Sequence, residues 1–221
     1  MAKKKSSAPL QDAVQESEKR YVTLRREASA EMTEKKSVFI GHACPVRTPE
    51  EAIAFVSGIR ARYPDATHNV YAYRIGANVT RYSDDGEPGG TAGMPVLEII
   101  RKGGFTDAAI VVTRYFGGVL LGAGGLVRAY SAAARLAVDA AEVVTYIPFT
   151  LFTLRCTYAD FQKLEAELPR FGVRREGSDF SADVTLSCAI PSSAYPDLCV
   201  RLSEMSAGRI VPVVTGSRFD A

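Results

Sequence analysis

The stretch from Ala108 to Ala141 constrains this chain more than any other. Ala108–Thr113 (Ala-Ala-Ile-Val-Val-Thr) is continuously apolar and reads as a strand covered on both faces. A loop from Phe116 to Leu126 follows, with glycine at 117, 118, 122, 124 and 125. An alanine-rich helix then runs to about Ala141, with Leu126, Tyr130, Ala133, Ala137 and Ala140 facing inward. Strand, glycine loop and small-residue helix in that order demand a layered α/β arrangement. Two readings of the glycines stand open. They permit close helix–strand packing, or they leave backbone N–H groups and a helix dipole aimed at an anion, with Arg114 and Arg128 flanking the loop. There is no Gly-Lys-Ser/Thr, so this is not a nucleotide P-loop. Val127 stands where a dinucleotide-fold loop would carry its third glycine.

The remaining chain divides around this stretch. Residues 1–19 are polar and aperiodic and read as a disordered arm, with Lys3, Lys4 and Lys5 as solubilising charge. Tyr21–Glu27 and Lys36–Val46 read as strands. Thr48, Pro49 and Glu51 form a helix start ahead of the stripe Ala52, Phe55, Val56, Ile59 and Tyr63. His68–Ile75 and Val79–Ser83 form a strand pair, and Ala92–Lys102 a helix stopped by Gly103-Gly104. Beyond Val143–Ile147 the rhythm changes. Strand Phe152–Tyr158, a helix marked by Phe161, Leu164 and Leu168, strands Val173–Glu176 and Ala182–Ile190 around a Gly177-Ser178-Asp179 turn, a helix marked by Leu198 and Leu202, and strand Arg209–Thr215 give βαββαβ, the ferredoxin-like order. The expected fold is α+β in two domains, 20–144 and 145–221.

Several function classes are disfavoured. The four cysteines, Cys44, Cys156, Cys188 and Cys199, lie in apolar runs and fit no zinc spacing, so buried reduced thiols are expected. No run approaches the roughly 18 apolar residues of a membrane span, and no secretory signal opens the chain. A cytoplasmic location with no membrane partner is the expectation. A net charge of +2 requires any basic patch to be local. No hydrolase motif is present, which disfavours a standard hydrolase; a non-enzymatic role is favoured over an enzymatic one, and no cofactor is implied.

One further cluster could carry chemistry. Asp84, Asp85 and Glu87 put three carboxylates within four residues and repel one another unless something compensates. A divalent cation site, a carboxylate base, a fork for a partner's arginine and a plain solvated turn all remain open. His68, at a strand start, is either a structural histidine or an acid, base or stacking ring.

Three segments together are specific: Ala66-Thr67-His68-Asn69-x-Tyr71-Ala72-Tyr73, Ser83-Asp84-Asp85-Gly86-Glu87-Pro88-x-Gly90-Thr91-Ala92-Gly93, and Val112 to Tyr130 with its Arg114-Tyr115-Phe116-Gly117-Gly118 core. They resemble the IMPACT/YigZ family over about residues 20–140, and the second half resembles the C-terminal domain of its bacterial branch. The resemblance implies a first domain that is a two-layer α/β sandwich similar to domain two of small-subunit ribosomal protein S-five and domain four of elongation factor G, with a left-handed βαβ crossover. It implies a second domain similar to domain five of elongation factor G. Eukaryotic members of the family regulate translation by binding a ribosome-associated activator of a stress kinase. The functional expectation is therefore a translation- or RNA-associated regulator. An enzyme acting on a phosphorylated small molecule and an adaptor using Asp84–Glu87 are the alternatives. RNA or the ribosome and a regulatory protein are the candidate partners; oligomeric state is left open. The candidate binding residues are His68, Arg81, Asp84, Asp85, Glu87, Thr91, Arg114, Tyr115, Gly117, Gly118, Gly122, Gly124, Gly125 and Arg128, with the three acids also weak cation ligands.

Overall fold

The computed structural model of the chain describes residues 20–221, so the arm expected over residues 1–19 lies outside the described residues. Two sheets and five helices build two compact units, Tyr21–Thr145 and Tyr146–Ala221.

The first unit opens with a short strand, β1 (Tyr21–Leu24), whose Leu24 joins the main core. It is organised by one antiparallel sheet of β2 (Ala28–Glu34), β3 (Ser37–Pro45), β4 (His68–Ile75), β5 (Val79–Ser83) and β6 (Ala108–Tyr115), in the order β2-β3-β6-β4-β5. The apolar run at Ala108 becomes the central strand, as a strand without a polar face must. Alternation then sorts its neighbours. Val70, Ala72, Ile110 and Val112 face the main core with Phe39, built against α2 (Gly93–Lys102) and α3 (Ala123–Ala141). Tyr71, Tyr73, Ala109 and Val111 face the opposite way, onto α1 (Pro49–Arg62). Helices therefore cover both faces, one layer more than the expected sandwich. The stripe Ala52, Val56 and Ile59 required a second apolar surface.

Local signals explain the element ends. Thr48 Oγ1 accepts from Glu51 N at 3.2 Å and Pro49 opens α1. Glu51 closes back onto Arg47 N at 2.6 Å, one residue earlier than a standard capping box. Helix α3 begins at Ala123, so Gly124 and Gly125 stand in its first turn rather than in the loop. Strand β2 was not anticipated from the sequence. Its mixed burial lacks a clean apolar alternation, and its position is set by pairing with β3 along Ala28↔Ala43 to Glu34↔Ser37.

In the second unit β7 (Val143–Cys156), α4 (Tyr158–Glu167), β8 (Arg174–Phe180), β9 (Val184–Pro191), α5 (Tyr195–Ser206) and β10 (Val213–Asp220) follow in βαββαβ order. The sheet is five-stranded: β7 pairs with β9, β10 and β1, and β8 lies beyond β9, with β7, β8, β9 and β10 antiparallel. Phe152, Leu154, Leu186, Cys188 and Ile190 pack with Leu164, Leu198 and Leu202 of the two helices. The strand boundaries differ from the sequence reading in three places. β7 begins at Val143, inside the first unit. β8 continues through Gly177, where the register shifts between Arg175 and Gly177; a glycine that signals a turn here marks a bulge. The last strand starts only after Pro212 and carries its own register shift before Gly216. Among the described residues no helix is long and apolar enough to cross a membrane.

His42 links this packing to pH. It is fully buried between sheet and α1, its Nδ1 2.8 Å from Ser29 Oγ and its ring 5.1 Å from Tyr63. Its Nε2 has no partner. Burial, and secondarily Arg62, pushes the imidazole down to about 4. The unfolded chain therefore binds this proton first as pH falls. Stability contributed by neutral His42 is complete above about pH 6.5 and is lost on acidification toward pH 4, a change of about 3 kcal/mol at most. Urea unfolding at pH 7.5 and 4.5 should show a larger acid-side loss for the wild type than for His42→Gln.

Candidate functional site

The acidic loop Asp84–Glu87 resolves its own repulsion by sending each carboxylate to a different set of donors. Asp84 turns toward the start of α2. Its Oδ1 accepts from Ala92 N at 3.1 Å and Gly93 N at 2.7 Å, and its Oδ2 from Gly90 N at 2.9 Å. Ala92 cannot cap that helix, so a carboxylate eight residues upstream does, with the dipole in its favour. Asp85 accepts from Arg60 Nη2 at 2.6 Å and from Asn69 N at 2.7 Å. Its φ of +46°, followed by Gly86 at +88°, turns the chain so that this reach is possible. Thr91 tightens the same loop by donating to the Pro88 carbonyl at 2.6 Å.

Glu87 goes inward. Its Oε1 lies 2.5 Å from Arg114 Nη1 and accepts from Tyr130 Oη at 2.7 Å. The Glu87 and Arg114 side chains are 3% and 6% exposed. Arg114 Nη2 also donates to Ser37 Oγ at 3.4 Å, and its Cζ stands over the Phe39 and Phe116 rings at 5.4 and 5.5 Å. Burial, then the neighbouring Glu87, holds the Tyr130 phenol far above its ordinary range, so it stays a donor at any physiological pH. His68, opposite Arg114 in the β4–β6 register, completes the cluster. Its Nδ1 is 2.7 Å from the Asp85 carbonyl, which can only accept, so Nδ1 carries the proton. Nε2 faces Glu87 Oε1 at 3.7 Å.

His68, Asp85, Glu87 and Arg114 therefore meet, while other candidates stand elsewhere. Asp84 belongs to the cap of α2. Arg81 is exposed on β5 opposite Tyr73, outside the cluster. Tyr115 donates to Asp65 Oδ1 at 2.9 Å. Arg114, which one of the two sequence readings placed beside the glycine loop as a contact for an anion, is instead a buried partner of Glu87. Gly117 lies against the backbone of Lys36 and Ser37, where a Cβ would overlap the Lys36 carbonyl. Gly118 and Gly122 have φ of +79° and +71°. Gly124, Gly125 and Arg128 form the opening turns of α3, and no side chain caps that end. Exposed Arg128 shares a hollow of about 210 Å³ with Met32, Glu34, Lys35, Leu121 and Ala129. Among the described residues, no three His, Cys, Asp or Glu side chains gather to hold a metal ion.

Sequence reasoning missed Tyr130, Asn69, Arg60 and Ser37 as parts of this cluster. Tyr130 did carry a signal. A tyrosine on a buried alanine stripe has a hydroxyl that must find a partner. Removing one member of the buried pair should be severe. Glu87→Ala should cost about 3–5 kcal/mol in urea unfolding by stranding the Arg114 charge, and Glu87→Ala with Arg114→Met should recover much of that loss.

Comparison with known proteins is consistent with this architecture. The Impact N-terminal domain matches residues 35–138, and a domain of unknown function, DUF1949, matches residues 154–209. The chain is 37% identical to "IMPACT family member YigZ" of Escherichia coli over 180 residues, 80% of this chain and 88% of that protein. It is 41% identical to "IMPACT family member YvyE" of Bacillus subtilis over 150 residues, 67% and 69% of the two chains. A solved structure described as that of a hypothetical protein aligns with a TM-score of 0.56 at 33% identity, covering 89% of this chain and 98% of that one. Similarity at that identity across most of both chains establishes that this protein belongs to the IMPACT family.

Proposed function

We propose that this protein is a translation-associated regulator that acts by binding RNA through the surface where α3 begins. The observation that carries this reading is the pairing of two exposed cations, Lys35 and Arg128, along one hollow beside the uncapped first turn of α3. Neither cation has a side-chain partner among the described residues. Helix N-terminal N–H groups and unpaired cations are a phosphate-binding combination. The three carboxylates of Asp84–Glu87 are answered by protein donors, which reduces their repulsion of phosphate, and the one acid on the hollow, Glu34, is outweighed there by Lys35 and Arg128. The buried Arg114 supports the surface from below instead of contacting phosphate.

A regulatory protein partner is the second reading. It is favoured by Leu120, 83% exposed in the same loop. Asp84–Glu87 is a poor docking fork in either case, because the Asp84 and Asp85 oxygens are already bonded and Glu87 is buried.

RNA titrations over a salt series separate the two. Arg128→Ala and Lys35→Ala should each reduce the magnitude of the log-affinity against log-salt slope by about 0.7 to 0.9, as expected for one lost phosphate contact. Unchanged slopes in both folded variants would move the RNA site away from α3 and leave the protein-partner reading.

A further inference from the structure

A guanidinium on one face of an aromatic ring stabilises both groups, and here that ring is left half exposed to solvent. Phe116 is 46% exposed although it directly follows a central strand. One face of its ring is occupied by Arg114, whose Cζ lies 5.5 Å from the centroid. That guanidinium cannot drift, because Glu87 and Ser37 hold its two terminal nitrogens and Phe39 stands beside it. The backbone is pinned on both sides of the ring. Phe116 N donates to Thr67 Oγ1 at 3.0 Å, and Gly117 N donates to Ser37 Oγ at 3.2 Å. Gly117 itself rests on the Lys36 backbone with no space for a side chain. The result is an aromatic plate presented to solvent with its position set before any ligand arrives.

From this geometry we infer that Phe116 is a stacking platform for an unpaired base, so that the ligand class at the α3 surface is single-stranded RNA. This inference rests on the RNA reading above and narrows it. A flat ring accepts any base on its π-face, which gives binding without strict sequence choice. A base in a duplex has both faces covered by its neighbours and cannot use the plate. The loop Phe116–Leu121 joins the plate to the first turn of α3, so a strand stacked on the plate can continue toward the helix terminus and Arg128. Thr67 and Ser37 are then positioning residues. They touch no base, and they fix the backbone that carries the ring. Preorganisation of this kind lowers the ordering cost of binding.

The chain has no tryptophan, so Phe116→Trp installs a single fluorescent reporter at the plate. The probes are a mixed-sequence single-stranded oligoribonucleotide of about ten nucleotides, within the usual site size of a stacking groove, and the same sequence as a duplex. Single strands should quench the introduced indole and bind the variant at least as tightly as the wild type, while the duplex should leave the emission unchanged. Phe116→Ala should weaken single-strand binding by about 5- to 150-fold without altering the salt slope that Arg128→Ala lowers. Thr67→Val, added to the reporter variant, should weaken binding less and broaden the fluorescence response. RNA binding that depends on Arg128 but neither quenches the reporter nor responds to Phe116→Ala would overturn the stacking site and leave the RNA reading intact. Equal quenching by duplex would overturn the single-strand assignment. No binding of either probe by the folded wild type would end the RNA reading and this inference together.

Discussion

The buried pair of Glu87 and Arg114 holds the first unit's acidic loop against the end of its central strand. Each charge loses several kcal/mol of hydration on burial, and mutual attraction offsets this only where the remaining polar atoms are also bonded. Tyr130 supplies a donor to Glu87 and Ser37 an acceptor to Arg114, leaving only Arg114 Nε unpaired. These four residues come from the acidic loop, β6, α3 and β3. One ionic contact therefore ties together four segments that would otherwise be connected only through the apolar core. His68 and Asp85 extend the same network to β4 and α1 through Asn69 N and Arg60. Segments so over-determined lose little entropy when a ligand arrives, because the folding of the domain has already ordered them.

That network also changes the electrostatic character of the surface. Three carboxylates in four residues suggest an anionic patch, yet one caps a helix, one bridges a strand and a helix, and one is buried. What remains exposed nearby is Lys35, Lys36, Arg128, Phe116 and Leu120, with Glu34 as the one carboxylate lining the same hollow. A chain with a net charge of only +2 can thus present a locally positive face by turning its acids inward.

Much of the fold was legible in the sequence because the relevant signals are local. The apolar run at Ala108, the Thr48-Pro49 helix start and the period-two alternation from Phe152 each dictate an element within a few residues. Strand β2 and the true end of β8 were not legible. Pairing partners far along the chain decide both, and the Gly177 turn signal is equally a bulge signal. The candidate site divides in the same way. The motif segments were visible, as was the need to compensate three acids. Which donor meets which acid was not visible, since Asp84 serves a helix eight residues on and Glu87 reaches Tyr130 across 43 positions. Arg114 illustrates the limit best. Its neighbours in sequence suggest an exposed cation, and only the register of β6 between β3 and β4 places it inside.

Gly41 touches none of the site's residues, yet it governs the distance on which the site depends. A Cβ there would overlap the Ala133 carbonyl oxygen of α3, one turn beyond Tyr130. The helix lies on the sheet at a separation set by a hydrogen atom, and the 2.7 Å contact between Tyr130 and Glu87 is measured from that resting position. Any larger side chain at position 41 would act as a shim, lifting the helix and the phenol with it. One veto over change in this surface therefore sits under the helix, away from any residue that a ligand could touch.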